Sequence, residues 1–133
     1  MGDTKTKGDL GVGIVIAESL KRGHKVALPM GENWPFDIIV QRHGKLERVQ
    51  CKYTESDGEV IEVRCRSTSE WVQYKYTADM IDWIACYDKT TDRCYFVPAT
   101  LLGDGKSMLH LRLVPSKNGQ TKHVRMAEDF LNW

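Results

Sequence analysis

The order of sequence patterns along this chain predicts an α+β or α/β fold, a sandwich built around one sheet. Apolar residues recur at helical spacing over residues 8–22. Short segments follow that alternate apolar and polar residues between Gly, Asn, Asp and Ser, as is typical of strands and their turns. The 133 residues are enough for one domain with a single core, so we expect residues 1–133 to form one domain.

The first predicted element is a helix over residues 8–22. Its apolar residues lie three or four positions apart, at Leu10, Ile14, Ala17 and Leu20. Gly23 follows a basic pair at 21–22 and ends the helix, because glycine readily takes the left-handed conformation found after helix C-termini. We expect a short strand over 25–30 next.

The central part of the chain is predicted to contain two hairpins. His43-Gly44 suits a two-residue turn, since glycine tolerates positive φ and histidine is among the less averse residues. A turn at 56–58, Ser-Asp-Gly, precedes a strand over 59–66. The remaining predicted elements are a helical turn at 78–81, strands over 83–87, 93–97 and 107–114, and a helix over 124–131.

The first hairpin is predicted to bring three polar residues together. A tight turn at 43–44 puts Asp37 opposite Gln50. Lys52 projects from the same face as Gln50, because alternate residues of a strand share a face. This cluster gives a reason for an Asp at the start of a strand, where aspartate is usually avoided.

The second hairpin is predicted to extend this cluster. The apolar residues of its two strands share a face only if Cys51 lies opposite Val63. That register places Glu62 opposite Lys52 and adds Arg64 to the same polar face. We therefore expect five polar side chains on one face of the sheet.

Two interpretations of this polar face remain open. It can be a solvated sheet surface with an ion pair between Lys52 and Glu62. It can instead be a metal-dependent phosphodiesterase site. Asp37, the amide oxygen of Gln50 and the backbone carbonyl of Cys51 would then hold Mg²⁺, which prefers oxygen ligands. Lys52 would orient the attacking water and stabilise the charge that develops on the phosphate.

The pattern Asp37…Gln50-Cys51-Lys52 resembles the signature of PD-(D/E)XK nucleases, in the variant in which Gln replaces the second acid. Other segments, in the same order, resemble the small members that include a group I intron-encoded homing endonuclease. These segments are KGDLG, LKRGHKVALPMGENWPFDIIV, RVQCKYTE, YTADMIDWIACYD, CYFVPA, HLRL and MAEDF. The three-residue motif is weak by itself, whereas the ordered set covers most of the chain.

The resemblance implies a restriction-endonuclease-like core, with a mixed central sheet flanked by helices. It also implies Mg²⁺-dependent cleavage of double-stranded DNA, with Mn²⁺ as a substitute. Residue by residue, Asp37 takes the motif Asp, Gln50 the second acidic position and Lys52 the motif Lys. These three are the predicted catalytic residues. Phe36 separates Pro35 from Asp37 and interrupts the literal Pro-Asp pair.

One departure from the family pattern concerns the metal ligands. Members often carry a Glu on the first helix, and this sequence has Val12 there. Asp9 or Glu62 could take over that role, the site could work with fewer acids, or the protein could be an impaired nuclease. Glu18 lies about 120° away around the helix and is expected to face solvent.

Local basic residues are the predicted DNA contacts, since the net charge of +1 gives no overall indication of a nucleic-acid partner. Arg64 and Arg66 share a strand face near the proposed site and suit contacts to phosphates or base edges. The segment 71–76, with Trp71 and Lys75, interleaves aromatic and basic side chains. This loop can pack on the core or contact DNA through Lys75.

Composition sets the remaining limits. With 41% hydrophobic and 28% charged residues, the chain is typical of globular proteins. No apolar run approaches the roughly 20 residues of a membrane span, and no signal-peptide pattern is present, so we expect an intracellular, cytoplasmic protein of bacterial or phage context. The four cysteines include no CxxC pair and are expected to be buried free thiols rather than zinc ligands.

The leading functional hypothesis is therefore a site-specific, homing-type DNA endonuclease. The alternatives are a catalytically impaired DNA-binding module with the nuclease fold, and a structure-selective nuclease of the Holliday-junction resolvase kind. One small domain supplies one active site and reads few base pairs, so we expect a homo-oligomer. The resemblance favours a tetramer over a dimer. The strand over 107–114 and Trp133 could lie in such an interface, or Trp133 could pack on its own domain.

Overall fold

The computed structural model describes residues 3–67 and 73–133. In chain order it contains helix α1 (Thr4–Lys21) and strands β1 (Lys25–Ala27), β2 (Ile38–Arg42), β3 (Lys45–Thr54), β4 (Val60–Arg64), β5 (Trp83–Asp88), β6 (Arg93–Pro98) and β7 (Met108–Arg112). Two short 3₁₀ helices lie at Ala99–Leu102 and Ala127–Phe130. In this described part of the chain, no helix is both long enough and apolar enough to cross a membrane.

Five strands form the central sheet in the order β1-β2-β3-β5-β6. Neighbouring strands are antiparallel except β3 and β5, which run parallel. The sheet is therefore mixed, which confirms the predicted fold class. A parallel pair needs a long crossover connection, and the chain between β3 and β5 supplies it while also forming β4.

Helix α1 covers one face of this sheet. It begins earlier than predicted because the carboxylate of Asp3 caps it, accepting a hydrogen bond from the backbone N–H of Thr6 at 2.6 Å. Gly11 lies directly on β3, where a Cβ atom would come within 3.3 Å of the Cβ of Tyr53. The helix ends as predicted before Gly23, whose φ is 84°.

Strands β4 and β7 form a separate antiparallel pair on the other face of the sheet. Val63 of β4 packs with Ile84 of β5 in one core. Val15 of α1 packs with Ala85 of β5 in a second core. Because successive residues of a strand point to opposite faces, the central sheet lies between α1 and the β4–β7 pair.

The predicted pairing of β3 with β4 is wrong. Strand β5 takes the edge of β3 that faces away from β2, so β4 crosses the face of the sheet instead. Cys51 therefore does not lie opposite Val63, and Glu62 lies opposite His110 of β7. Glu62 is exposed between two buried residues of β4, so its side chain points away from the central sheet. The predicted ion pair with Lys52 does not form.

The predicted first hairpin is confirmed in its turn and its register. His43 and Gly44 have φ values of 50° and 78°, and two positive φ values in a two-residue loop are those of a type I′ turn. Ile38 lies opposite Val49, which is the register that a tight turn at 43–44 requires. This hairpin fixes the position of Asp37, one residue before β2.

The end of the chain departs from the predicted helix over 124–131. Only the 3₁₀ turn Ala127–Phe130 forms, because Met126 is extended and makes a parallel bridge with Arg112. The four cysteines are buried free thiols, as predicted.

Trp133 packs on its own chain. Its indole stacks on the ring of Phe96, with centroids 4.3 Å apart and planes inclined by 10°. The ring of His24 meets the indole edge-on at 5.2 Å. Arg22 holds the same segment by donating to the carbonyl of Leu131 at 2.9 Å. Trp133 was expected either to lie in an oligomer interface or to pack on its own domain. In the protomer it packs on its own domain.

We expect Trp133→Ala to lower the free energy of unfolding by about 2–3 kcal/mol, less than for a fully buried aromatic residue because Trp133 is half-buried. Urea denaturation followed by circular dichroism measures this loss. Trp34 is 50% exposed, so Trp34→Ala is a matched control with an expected loss below about 1 kcal/mol. Equal losses in the two variants would contradict the packing role of Trp133.

Candidate active site

Asp37 lies where β2 and β3 separate. Its backbone N–H donates to the carbonyl of Val49 at 2.9 Å, and its Oδ2 accepts a hydrogen bond from the backbone N–H of Cys51 at 2.9 Å. The side chain thus continues the β2–β3 ladder and holds the carboxylate against β3. Burial raises the pKa of Asp37, while the Cys51 N–H and the nearby charge of Lys52 oppose that change.

The amide of Gln50 is buried and its orientation is restrained. Its Nε2 donates to the hydroxyl of Tyr76 at 2.7 Å and lies 3.4 Å from the carbonyl oxygen of Pro35. Because a carbonyl can only accept, the NH₂ group belongs on this side of the amide. Among the described residues nothing donates to Oε1, so that oxygen is available to another ligand.

The backbone carbonyl of Cys51 faces the same place as the carboxylate of Asp37. In an extended strand the N–H and C=O groups of one residue point to the same side. The N–H of Cys51 points to Asp37, so its carbonyl points to that side as well. Strand β2 begins at Ile38, opposite Val49, and therefore does not cover this stretch of β3.

Lys52 projects from the face of β3 that carries Gln50, as predicted. Its Nζ donates to the backbone carbonyl of Arg66 at 3.2 Å and lies 5.2 Å from the ring centroid of Tyr76. Burial lowers the pKa of Lys52, and the charge of Asp37 opposes that change. The structure therefore places Asp37, Gln50 and Lys52 close to one another where β3 extends past the start of β2.

None of the considered acidic residues joins this cluster as a replacement for the helix Glu. Val12 packs against the core between α1 and the sheet, and Asp9 is exposed. Glu62 points away, as described above. Glu18, expected to face solvent, is half-buried and pairs with Arg22 at 3.4 Å.

The donor set fits a hard divalent cation with few protein ligands. Within residues 3–67 and 73–133, no group of three or more His, Cys, Asp or Glu residues is placed to hold a metal ion. The cluster instead offers one carboxylate from Asp37 and two neutral oxygens, from Gln50 and the Cys51 carbonyl. Oxygen ligands of this kind suit Mg²⁺, which usually keeps several waters and takes few protein ligands.

Three predicted DNA contacts lie at the rim of this site. Arg66 and Lys75 form an antiparallel bridge, and both are exposed. Arg64 is exposed at the end of β4, opposite Met108, and its charge adds to the effect of burial in lowering the pKa of Lys52. Trp71, considered with the same loop, falls outside the described residues.

Two structural features of the site were not predicted. Tyr76, the last residue of the aromatic and basic segment 71–76, is 3% exposed and contacts both Gln50 and Lys52. Arg48 donates to Oδ2 of Asp82 through its backbone N–H at 2.7 Å and its Nε at 3.1 Å. The contact between Arg48 and Asp82 ties the start of β5 to β3 and supports their parallel register.

Comparisons with known proteins find similarity over most of the chain. The family model described as PD-(D/E)XK endonuclease matches residues 2–132. Among solved structures, a bacterial homing endonuclease, I-Ssp6803I, matches with a TM-score of 0.67 and 27% sequence identity, over 91% of this chain and 84% of that chain. A search of curated proteins found no match.

Proposed function

Because the chain belongs to the PD-(D/E)XK endonuclease family, we propose that it is a site-specific, homing-type DNA endonuclease that makes metal-dependent double-strand breaks. The main support is the contact set that gathers Asp37, Gln50 and Lys52 where β2 and β3 separate. The likeness to a bacterial homing endonuclease over 91% of the chain adds support for the homing type.

Asp37, Gln50 and the carbonyl of Cys51 are the proposed ligands of Mg²⁺, with Mn²⁺ as a substitute. When bound, such a cation polarises the scissile phosphate and makes its bound water more acidic. Asp37 must be ionised to serve as a ligand. Its pKa is raised by burial, so occupancy falls at low pH.

Lys52 is the proposed electrostatic catalyst. Its ammonium group is held by the carbonyl of Arg66 and the ring of Tyr76, and so needs little reorganisation as negative charge develops on the phosphate. The same group can orient the attacking water. Arg64, Arg66 and Lys75 would contact DNA beside it, since all three are exposed at the rim.

Cleavage of a plasmid library with random inserts, in Mg²⁺ and in EDTA, tests the proposal. Linear product at a restricted set of sequences, formed only with the metal, is the expected result. Binding without cleavage would instead support the impaired DNA-binding module, for which the packing of Val12 into the core is the favouring observation. Preference for a four-way junction over linear duplex would support a resolvase-like nuclease.

We expect the protein to be a dimer or tetramer in solution, with the tetramer preferred. A double-strand break needs two active sites of opposite polarity, which a twofold dimer supplies. A target that is unique among on the order of 10⁶ or more competing positions is longer than one small domain reads. Light scattering at micromolar protein measures the state, and a monomer both free and on DNA would contradict the expectation.

The surface of the protomer is consistent with such assembly. Leu28, Met30 and Leu46 are exposed by 67%, 92% and 71%. Strand β7, an expected contact, pairs with β4 along one edge; on its other edge, among the described residues, Arg112 alone forms a bridge, with Met126.

A further inference from the structure

Tyr76 contacts two of the proposed catalytic side chains and is itself fixed by other residues. It is 3% exposed, and its backbone N–H donates to the carbonyl of Cys65 at 2.9 Å. Its ring meets the ring of Tyr74 edge-on, with centroids 5.6 Å apart. Contacts other than those with Gln50 and Lys52 therefore also hold the Tyr76 ring in place.

The hydroxyl of Tyr76 restrains the amide of Gln50. A glutamine amide can turn either its nitrogen or its oxygen to a site, and its neighbours decide which. The contact of Nε2 with the Tyr76 hydroxyl is 2.7 Å, whereas its contact with the Pro35 carbonyl, at 3.4 Å, is long and weak. The Pro35 carbonyl can only accept and therefore selects the amide nitrogen, whereas the Tyr76 hydroxyl, which can accept or donate, supplies the short contact that keeps the amide beside Pro35.

The ring of Tyr76 has a separate role at Lys52. Nζ of Lys52 lies 5.2 Å from the ring centroid, within the range in which an aromatic face stabilises a cation. The hydroxyl and the ring thus act on different residues, so a change that removes only the hydroxyl separates the two roles.

We propose that Tyr76 is a positioning residue whose hydroxyl holds the amide of Gln50 against the Pro35 carbonyl, so that the amide oxygen, and not its nitrogen, is presented to a divalent cation. This inference rests on the proposed function for the identity of the ligand. It explains how a neutral Gln can stand at a position where the family pattern has an acid. A carboxylate offers oxygen whichever way it turns, whereas an amide must be held.

Calorimetric titration with Mn²⁺ in the absence of DNA tests this role in four proteins: wild type, Tyr76→Phe, Gln50→Glu and the double variant. We expect Tyr76→Phe to weaken Mn²⁺ binding on the order of tenfold, as changes next to metal ligands do. In the Gln50→Glu background the same change should cost less than about threefold, because a carboxylate needs no orientation. Tyr74→Phe, which leaves the Gln50 contact intact, is the matched control and should bind as the wild type does.

An equal loss in both backgrounds would show a merely structural role for Tyr76 and overturn the inference. No loss in Tyr76→Phe, or no Mn²⁺ binding by the wild type, would overturn it as well. Thermal unfolding of each variant shows that the comparison is made between folded proteins.

Cleavage kinetics provide the second readout and separate this inference from the proposed function. In Tyr76→Phe, the Mg²⁺ concentration for half-maximal cleavage should rise about tenfold, while the rate at saturating Mg²⁺ stays near that of the wild type. If the wild type cuts no DNA but Tyr76→Phe still weakens Mn²⁺ binding more with Gln50 than with Gln50→Glu, the proposed nuclease function is refuted. The inference about Tyr76 then still holds. Cleavage by the wild type with an unchanged Mg²⁺ requirement in Tyr76→Phe would refute the inference alone.

Discussion

Replacing Lys52 with alanine is expected to lower the rate of DNA cleavage by at least about 10²–10³-fold, the usual loss when one preorganised donor to a developing charge is removed. The ammonium group is held by Arg66 and Tyr76 before any substrate arrives. Its interaction strengthens as charge builds on the phosphate, so its loss affects the transition state more than the bound ground state. Affinity for DNA should therefore change little.

Single-turnover cleavage and fluorescence anisotropy with a labelled duplex measure these two quantities. Lys52→Met keeps the volume of the aliphatic stem and should show the same loss of rate, which separates the charge from the packing. Lys117, whose side chain is 86% exposed, provides a matched control in Lys117→Ala. If Lys52→Ala cleaves DNA at near the wild-type rate, Lys52 has no catalytic role.

The meeting of Asp37 with Gln50 and Lys52 could be predicted from the sequence because it depends on local geometry. The turn at His43-Gly44 fixes the register of β2 and β3 by itself, so the meeting of Asp37 with the Gln50–Lys52 strand follows from chain spacing. The alternation of apolar and polar residues in β3 then sets which side chains share a face. These two rules do not depend on the rest of the fold.

The position of β4 could not be predicted in this way. The apolar pattern of β4 is equally consistent with a hairpin partner of β3 and with a strand that packs across its face. The choice depends on β5, which arrives from more than 25 residues further along the chain and takes the edge of β3 in parallel. Competition for a strand edge between distant segments leaves no local sequence signal.

The role of Tyr76 was missed for a related reason. Its contacts with Gln50 and Lys52 cross between two layers of the fold, and their spacing in the sequence has no helical or strand period. The buried position of a Tyr in a polar segment is the one signal that was present, since a buried hydroxyl usually finds a hydrogen-bond partner. That signal identifies no particular partner.

Replacing Asp37 with asparagine is expected to weaken Mn²⁺ binding and lower metal-dependent cleavage, each by at least about a hundredfold, the upper end of what changes beside metal ligands cost. Among residues 3–67 and 73–133, Asp37 supplies the one carboxylate that lies beside Gln50 and the Cys51 carbonyl. Calorimetry with Mn²⁺ and cleavage over a range of Mg²⁺ concentrations measure the loss. Asp129→Asn, at an exposed position on the second 3₁₀ helix, is the control. Unchanged Mn²⁺ binding by Asp37→Asn would rule out Asp37 as a ligand.

Stability should change in the opposite direction to activity, which distinguishes loss of a ligand from loss of the fold. The pKa of Asp37 is raised above 3.8 by burial, so the folded protein binds this proton more tightly than the unfolded chain. Ionisation of Asp37 therefore costs stability above its folded pKa, and that cost disappears as the pH falls below 3.8. Asparagine avoids the cost, and its amide oxygen can still accept the hydrogen bond from the N–H of Cys51. In metal-free buffer at pH 7, Asp37→Asn should melt at or above the wild-type temperature, with the difference vanishing in acid. A lower melting temperature at pH 7 would show that the carboxylate stabilises the fold.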